Sequence, residues 1–399
     1  MKTKILFVTK DLGSGGAEKS LASLLSQLDY NNYEVDLLRL GDGDFFLNSI
    51  PSQVNVLEIP LKTNYLLCKP ARESVAYLLK NREFLMCFFE IISHGFYRLL
   101  SRLKGLNAKV IKWKLSSVII PQLDEEYDVA IGYNYDFPVY FIVDKVKAKK
   151  KIGWVHGNYM LTKSLVRLDQ HYFSKLDNIV TISEICKKIL VTVFPQLSKK
   201  MSIIENIISP AIIEKMADQD NDKLFKVIPG ITIVTVARLS SEKGIDMAVE
   251  AFNKLHKKGY NIKWFVIGEG IERNSLETLI NKYGLEERFL LLGEKSNPYS
   301  YIKQSDIYVQ PSRTEGKALA IEEAKVLGRP IVVTNYSTVT DQIQDGCNGL
   351  IVPLNSEGIY KGISQLIDSI ELREKFSREL LKKQLGNEDE VQKLYQIIN

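Results

Sequence analysis

Two cations follow an apolar run in the second half of the sequence. Arg238 and Lys243 stand five residues apart in VARLSSEKG (236–244), directly after the apolar run ITIVTVA (231–237). Residues at the carboxyl end of a buried parallel strand lie at the ligand-binding edge of an open α/β sheet. There a guanidinium offers a planar fork to phosphate oxygens, and an ammonium offers a mobile point charge. The pattern favours a phosphate-binding pair over two unrelated surface cations.

Two glutamates stand further along the chain in PSRTEGKALAIEEAKVLGRPIVVT (311–334). We predict that Glu315 lies in a loop after a strand and faces the reacting end of a ligand. Glu323 falls inside the next helix, where a carboxylate can accept two hydrogen bonds from a ribose diol. Its neighbour Glu322 should point ~100° away around the helix and be a solvated charge. The spacing alone leaves open that Glu315 and Glu323 are themselves solvated helix charges.

The residues after the first glutamate predict the start of a helix near Lys317. Gly316 has no side chain, so the main chain can approach a ligand closely there. Main-chain amides at a helix N-terminus bind anions such as a diphosphate. The predicted amide donors are those of Gly316, Lys317, Ala318 and Leu319.

The elements that must hold these residues alternate along both halves of the chain. Apolar runs predict strands at 4–8, 35–40, 127–133, 151–156 and 177–183, and then at 231–237, 262–268, 289–293, 306–312 and 330–334. In the second half, helix-period stretches begin near Lys243, Glu272, Tyr299 and Lys317. Near-continuous apolar strands alternating with helices are typical of parallel sheets covered on both faces. We therefore predict an α/β protein with two doubly wound Rossmann-like domains that face a cleft.

The domain boundary is expected where polar residues and prolines interrupt the pattern, between residues 205 and 230. The predicted domains are 1–205 and 206–380. A last helix in 381–399 either completes the second domain or crosses back onto the first, since periodicity does not distinguish the two.

The composition is that of a globular protein. Of its 399 residues, 45% are apolar and 25% are charged. This length exceeds that of one ordinary domain and suits two. Its 4 cysteines form no Cys-x-x-Cys pair, which argues against a disulfide framework and fits a reducing cytosol. The apolar run near the amino end is too short for a signal peptide or a membrane span. We expect a cytoplasmic chain.

Positive charge is concentrated between residues 62 and 114, where 11 Lys/Arg and 3 Glu give +8 in a chain of net charge +5. Within it, FLMCFFEIISHGFYRLLSRLK (84–104) places bulky apolar residues beside Arg98, Arg102 and Lys104. Such a helix can lie in an anionic membrane surface. An ordinary core-facing helix with solvated cations is the alternative. No nucleic-acid-binding motif accompanies the charge, so we expect no nucleic acid partner.

From Ile231 to about Pro353 the sequence resembles the donor-binding domain of family 4 of the retaining glycosyltransferases, which have the GT-B fold. The resemblance rests on the cations and glutamates above and on further motifs in both halves, namely IGEG (267–270), LLG (291–293), DGCNGLIVP (345–353), GSGGAEKSL (13–21) and WVHGN (154–158). More narrowly, the stretch 315–343 is similar to enzymes that build capsular and exopolysaccharide repeat units in Gram-positive bacteria.

The resemblance implies roles for the residues of the second half. Arg238 and Lys243 would bind the donor diphosphate, Glu315 would contact sugar hydroxyls, and Glu323 would bind the ribose. Cations and amide donors would stabilise the charge that builds on a departing nucleotide diphosphate, which removes the need for a metal.

In the first half, the resemblance places His156 close to the sugar, and the loop at Gly15 and Gly16 near the diphosphate or the acceptor. The chain departs from many family members after the first Glu-Gly, where Lys317 and Ala318 replace an aromatic residue and a Pro or Gly. By the resemblance, Lys317 would add a cation near the donor.

The implied activity is that of a retaining hexosyltransferase. It would transfer a sugar from a nucleotide-sugar, expected to be a UDP-sugar, to a lipid-linked saccharide in capsular or exopolysaccharide synthesis. The protein would be cytoplasmic and peripheral on the inner face of the plasma membrane. A protein O-glycosyltransferase, a nucleotide-sugar epimerase on the same fold and a non-catalytic partner subunit remain alternatives.

No metal or other cofactor is expected. Asp42-Gly43-Asp44 has the Asp-x-Asp pattern by which another glycosyltransferase fold holds a divalent metal. Asp-Gly pairs are common in turns, and no further ligands stand nearby in the sequence. We interpret the motif as a turn.

Overall fold

The computed structural model describes residues 2–100, 108–157, 159, 166–218, 230–382 and 385–399, without the side chains of 96–100, 108–112 and 167. The chain divides into two compact units. One consists of Met1–Asn206 with Asp389–Asn399, and the other of Ile207–Glu388.

The first unit is built on a parallel sheet. Its strands are β1 (Thr3–Thr9), β2 (Tyr33–Arg39), β3 (Asn55–Glu58), β4 (Glu126–Gly132), β5 (Lys147–Val155), β6 (Asn178–Thr181) and β7 (Met201–Ile203), in the order β3-β2-β1-β4-β5-β6-β7. The helices are α1 (Gly16–Ser26), α2 (Leu61–Cys68), α3 (Ala71–Lys80), α4 (Phe84–Leu100), α5 (Ala108–Ile119), α6 (Phe137–Lys145), α7 (Val166–Ser174) and α8 (Glu184–Val193). The strand order reverses between β1 and β4, whose residues pair in register from Ile5 with Val129 to Val8 with Gly132.

The basic segment 62–114 folds into helices α2 to α5 where it is described. Leu66, Leu78, Met86 and Trp113 from these helices are buried in the same core as Val8 of the central strand. The segment therefore supplies part of an ordinary core. Arg102 and Lys104 lie outside the described residues, and so does the side chain of Arg98.

The second unit repeats the same architecture. Its strands are β8 (Ile231–Val236), β9 (Ile262–Ile267), β10 (Phe289–Leu291), β11 (Ile307–Gln310), β12 (Ile331–Thr334) and β13 (Leu350–Val352), in the order β10-β9-β8-β11-β12-β13. The helices are α9 (Pro210–Ala217), α10 (Ile245–Lys257), α11 (Arg273–Tyr283), α12 (Tyr299–Gln304), α13 (Leu319–Val326), α14 (Ser356–Asp368) and α15 (Ile370–Leu381). The reversal falls between the neighbouring strands β8 and β11.

The last helix, α16 (Glu390–Ile398), packs on the first unit. The ring of Tyr395 stacks on Tyr33 with centroids 4.9 Å apart, and its hydroxyl accepts a hydrogen bond from the amide of Asp29 at 2.8 Å. The ammonium of Lys150 donates to the carbonyls of Ile397 and Ile398 at 2.8 Å each.

The predicted α/β class with two doubly wound parallel sheets is confirmed. The helix expected near Lys317 begins two residues later, at Leu319. The short outer strands β3, β7 and β13 were not predicted. The first two, NVLE and MSI, include polar residues and so form no apolar run, and the third is only the three residues LIV. Among the described residues, no helix combines the length and the apolar content needed to cross a bilayer.

Candidate active site

The loops after β8 and β11 bring two predicted site residues together. Ligands of open α/β sheets bind outside the carboxyl ends of the strands, at the point where the strand order reverses. Lys243 follows β8 and Glu315 follows β11, so both lie at that point in the second unit. The ammonium of Lys243 donates to both carboxylate oxygens of Glu315, at 2.8 Å to Oε1 and 2.7 Å to Oε2.

The carboxylate of Glu315 is held by further donors from its own loop. Its Oε1 accepts from the hydroxyl of Ser312 at 2.7 Å and from the side-chain amide Nε2 of Gln310 at 3.1 Å. The side chains of Lys243 and Glu315 are 17% and 8% exposed. The main-chain carbonyl of Glu315 accepts from the hydroxyl of Thr338 at 2.9 Å. Both the carboxylate and its loop are therefore fixed in place.

A glycine allows the two loops to approach each other. Gly244 follows Lys243 directly, has a φ of +65°, and would place a Cβ 2.1 Å from the carbonyl oxygen of Pro311. Any side chain there would both strain the left-handed backbone and collide with the neighbouring loop. Glycine at this position lets Lys243 reach Glu315.

Arg313 ties the same two loops together. Its guanidinium donates to both carboxylate oxygens of Asp246, at 2.8 and 2.6 Å, and to the carbonyl of Ser241 at 2.6 Å. Its main-chain amide donates to the carbonyl of Glu242 at 2.8 Å. Burial alone would raise the pKa of Asp246, but the hydrogen bonds and charge of Arg313 outweigh burial and lower that pKa. A bidentate pair of this kind fixes geometry as well as charge.

The other predicted cation has a different partner. Arg238 stands two residues after β8 with a side chain 58% exposed, and it pairs with Glu242 at 3.4 Å. The structure thus places Arg238 on the surface of the loop that carries Lys243. Its predicted contact with a diphosphate stays a prediction.

The helix start after Glu315 differs in one respect from the prediction. The amide of Ala318, which caps α13, donates to Oε1 of Gln342 at 2.8 Å, and Gln342 Nε2 donates back to the carbonyl of Ala318 at 2.8 Å. The amide of Ala318 is therefore already paired in this structure, and its predicted contact with the donor stays a prediction. The amides of Gly316, Lys317 and Leu319 stay candidates.

The two glutamates of α13 are both sheltered. Glu323 is 2% exposed. Burial raises the pKa of the Tyr308 phenol, and the negative charge of Glu323 raises it further. Glu322 was expected to be solvated, and this is wrong. Its side chain is 12% exposed, pairs with Lys325 at 2.7 Å and accepts from Gln342 at 2.9 Å. The ribose-binding role of Glu323 stays a prediction.

In the first unit, the predicted glycines begin a helix at the reversal point. Gly15 is the N-cap of α1, and Gly16 is its first residue. A Cβ at Gly15 would lie 2.1 Å from a carboxylate oxygen of Glu18, which folds back over the helix start. That oxygen is the far end of a flexible side chain, so a side chain at Gly15 would displace Glu18 and not the main chain.

His156 comes directly after β5 and packs against two aromatic rings. Its ring lies 4.5 Å from that of Tyr133 and is nearly parallel to that of Trp154 at 6.0 Å, between centroids. Both ring nitrogens are shielded from solvent, and among the described residues the group near enough to act on them is the main chain of Tyr133, in a geometry too poor for a regular hydrogen bond. Burial lowers the pKa of His156 to about 3. The imidazole is therefore neutral at pH 7, able to hydrogen-bond a hydroxyl but not to supply a positive charge.

The Asp-Gly-Asp motif is engaged in an ion pair. Asp42 accepts from the ammonium of Lys69 at 2.6 Å, and this hydrogen bond lowers the pKa of Asp42. Within the described ranges, no group of three or more His, Cys, Asp or Glu side chains could hold a metal ion.

Several residues that shape the site were not singled out from the sequence, among them Arg313, Thr338 and Gln342. Arg313 stands within the PSRTEGK motif, and the other two follow the apolar run of β12. Like Lys243, each therefore comes shortly after a predicted strand. Their roles depend on partners in other loops, which spacing along the chain does not reveal.

Comparison with known proteins matches part of the chain to a described family. Residues 218–383 match the family model described as glycosyl transferases group 1. An uncharacterized glycosyltransferase of Methanocaldococcus jannaschii is 26% identical over 266 residues, which cover 60% of this chain and 64% of that protein. The chain therefore spans slightly less than two thirds of this relative.

A second relative is matched over most of its length. It is the N-acetylgalactosamine-N,N'-diacetylbacillosaminyl-diphospho-undecaprenol 4-alpha-N-acetylgalactosaminyltransferase of Campylobacter jejuni, 24% identical over 92% of this chain and 90% of the relative. Among solved structures, Anabaena HepE in complex with UDP aligns over 99% of both chains with a TM-score of 0.68 at 15% identity. At that identity the likeness concerns the fold, and it confirms the predicted GT-B fold class.

Proposed function

We propose that the protein is a retaining hexosyltransferase that transfers a sugar from a nucleotide-sugar to a lipid-linked saccharide. The observation that carries the proposal is the pairing of Lys243 with Glu315 where the strand order reverses. The match of residues 218–383 to the glycosyl transferases group 1 model supports it.

The donor would bind through its diphosphate. An ammonium has three N–H donors, and Glu315 accepts two from Lys243, which leaves one for a phosphate oxygen. Arg238 and the amides near Gly316 would add donors, and Glu323 would bind the ribose. The complex of Anabaena HepE with UDP supports a UDP-sugar as the donor class.

Glu315 would position the sugar and would not act as a nucleophile. Its Oε1 already accepts from Lys243, Ser312 and Gln310, and a carboxylate so engaged is a weak nucleophile. Its Oε2 has Lys243 as its hydrogen-bond partner and keeps acceptor capacity for a sugar hydroxyl. Retention would follow from attack on the same face, with the departing phosphate taking the proton of the acceptor hydroxyl.

The acceptor would be a saccharide on a lipid diphosphate, as in capsular or exopolysaccharide synthesis. The name of the Campylobacter relative, which describes an acceptor carried on diphospho-undecaprenol, supports this class. His156, being neutral, would hydrogen-bond a hydroxyl of a sugar substrate.

The test is a nucleotide-release screen of UDP-, GDP- and ADP-sugars, with and without a lipid-linked acceptor. We expect release from a UDP-sugar only when the acceptor is present. Donor consumption without acceptor would favour an epimerase or hydrolase, and transfer to a peptide would favour a protein O-glycosyltransferase.

Within that assay, Glu315→Gln should lower kcat about 10²–10³-fold, because one oriented acceptor for the reacting sugar is lost. The matched control is Glu357→Gln, since Glu357 also pairs with a lysine of the same unit, Lys254, at 2.7 Å. Near-normal turnover of Glu315→Gln would remove Glu315 from the reaction.

A further inference from the structure

Strand β11 carries polar side chains on one buried side. Tyr308 and Gln310 point to the same side of the sheet because they alternate along the strand, and Ser312 follows two residues after it. These three residues are at most 1% exposed. β11 lies between β8 and β12 in the middle of its sheet. Apolar side chains would fill this part of the core without any need for hydrogen-bond partners, so the polar ones point to a use beyond packing.

The three side chains are hydrogen-bonded one to the next, and the last of them bonds to Glu315. The hydroxyl of Tyr308 donates to Oε1 of Gln310 at 2.5 Å. Nε2 of Gln310 donates to the hydroxyl of Ser312 at 2.9 Å and to Oε1 of Glu315 at 3.1 Å. The hydroxyl of Ser312 donates to the same carboxylate oxygen at 2.7 Å. We call Tyr308, Gln310 and Ser312 the β11 row.

The carboxylate of Glu315 sets the direction of every bond in the β11 row. A carboxylate paired with an ammonium accepts hydrogen bonds and donates none. Gln310 must therefore turn its NH₂ group towards Glu315, which leaves its carbonyl oxygen facing Tyr308. That oxygen also only accepts, so the phenol of Tyr308 must keep its proton. Burial and the negative charge of Glu323 raise the pKa of Tyr308 well above its usual value, so the phenol stays a donor.

The main chain of the β11 row is fixed from the neighbouring strand. Thr334, the last residue of β12, is 0% exposed. Its hydroxyl lies 2.5 Å from the carbonyl oxygen of Ser312 and 3.3 Å from that of Gln310, and it donates to both. Since the backbone is held in this way, the bonds between side chains decide how Gln310 meets Glu315.

The β11 row also decides which oxygen of Glu315 stays open to a ligand. Oε1 accepts from Gln310 and Ser312 as well as from Lys243, at 2.7 to 3.1 Å. Oε2 accepts from Lys243 at 2.7 Å. The terminal torsion of a glutamate is otherwise broad, so the carboxylate would rotate more freely without the row.

We propose that Gln310, oriented by Tyr308, is a positioning residue of the transfer reaction. It holds Oε1 of Glu315 so that Oε2 faces the donor sugar, and it acts through Glu315 without touching the substrate. The inference rests on the proposed function, in which Oε2 accepts a hydrogen bond from a sugar hydroxyl. Orientation of this kind affects the reacting geometry more than it affects donor binding.

The test compares kcat, the KM for the UDP-sugar of the nucleotide-release assay, and UDP affinity between the wild type and Gln310→Met. Methionine has a similar length and removes both hydrogen-bonding groups. We expect kcat to fall about ten- to a hundredfold. KM and UDP affinity should stay within about twofold, because Lys243 still bonds both oxygens of Glu315. Tyr308→Phe, which removes one hydroxyl, should lower kcat about three- to tenfold.

The control is Thr232→Val, which removes another buried hydrogen bond of the same sheet. Thr232 is 5% exposed, and its hydroxyl donates to Asp306 at 2.8 Å. It lies at the start of β8, at the sheet edge opposite to the site. Thr232→Val should lower the thermal midpoint and leave kcat unchanged, which separates a loss of stability from a loss of positioning.

The double variant shows whether Gln310 acts through Glu315. When Gln310→Met is added to Glu315→Gln, kcat should fall no further, because the carboxylate that Gln310 positions is already gone. Additive losses would overturn the proposal, and so would wild-type kcat in both Gln310→Met and Tyr308→Phe. A wild type that transfers no sugar would overturn the proposed function and this inference with it. Wild-type transfer with unaffected variants would overturn this inference alone.

Discussion

At the scale of residues, the site depends on how each group is paired. Lys243 and Glu315 have opposite charges, and each fixes the other at 2.7–2.8 Å. His156 is the opposite case, since its buried ring packs against two aromatic side chains and has no charge partner among the described residues. An ammonium held in this way can donate a hydrogen bond to a phosphate oxygen, whereas a neutral imidazole can form a hydrogen bond with a sugar hydroxyl.

Burial of His156 predicts a specific pH behaviour. Because burial lowers its pKa to about 3, its imidazole should stay neutral between pH 8 and pH 5. Its ring-proton NMR signal, assigned by its loss in His156→Gln, should not shift over that range.

The same burial affects stability at acid pH. The unfolded chain takes up a proton at this histidine near pH 6.5, whereas the folded chain resists it down to about pH 3. His156 therefore lowers the free energy of unfolding progressively as pH falls through this window. A titration midpoint near pH 6.5 in the folded protein would contradict the burial of the ring.

At the scale of elements, the chemistry depends on two loops held together. Gly244 allows their contact, and the pair of Arg313 with Asp246 fastens it. Gln342 holds the start of α13 from a third loop. Parallel strands bring these loops to one edge, but the cross-links set the distances between side chains.

Loss of the ion pair between Arg313 and Asp246 should weaken nucleotide binding, although neither side chain is proposed to contact the nucleotide. We expect Arg313→Ala to lower UDP affinity about tenfold, since a misplaced Lys243 loses its contact with phosphate. Asp246→Ala should act alike, and the double variant should be no worse than either single one. Additive losses would show that Arg313 does not act through Asp246. The control is Arg378→Ala, which removes a surface pair with Glu374 on α15.

The sequence predicts elements better than it predicts contacts between them. Inner strands such as β8 and β11 are continuous apolar runs, so their presence and the residues after them could be predicted. Which of the two cations, Arg238 or Lys243, pairs with Glu315 depends on distances across two loops, and the sequence does not give those distances. The solvated state expected of Glu322 was wrong for the same reason, because Lys325 and Gln342 reach it only in the folded chain.

At the scale of the whole molecule, two units share one architecture and differ in what they carry. The second unit holds the paired Lys243 and Glu315, and the first holds His156, the glycines of α1 and the basic segment 62–114. The positions of Lys243, Glu315, His156 and the glycines could be predicted because each follows a recognisable strand, whereas the basic segment follows β3, which was not predicted. The exposed apolar side of α4 could not, since a 17-residue helix with apolar residues all around is ambiguous until its packing is known.

The most direct test of the central claim is calorimetric titration of the full chain with UDP. The claim is that Lys243, held by Glu315, binds the diphosphate of a nucleotide. Lys243→Ala should weaken UDP binding about ten- to a hundredfold, the cost of losing a charged hydrogen bond. Lys254→Ala, which breaks an exposed Lys–Glu pair of the same unit at 2.7 Å, should bind UDP as the wild type does. Equal UDP affinity in the wild type and Lys243→Ala would contradict the account.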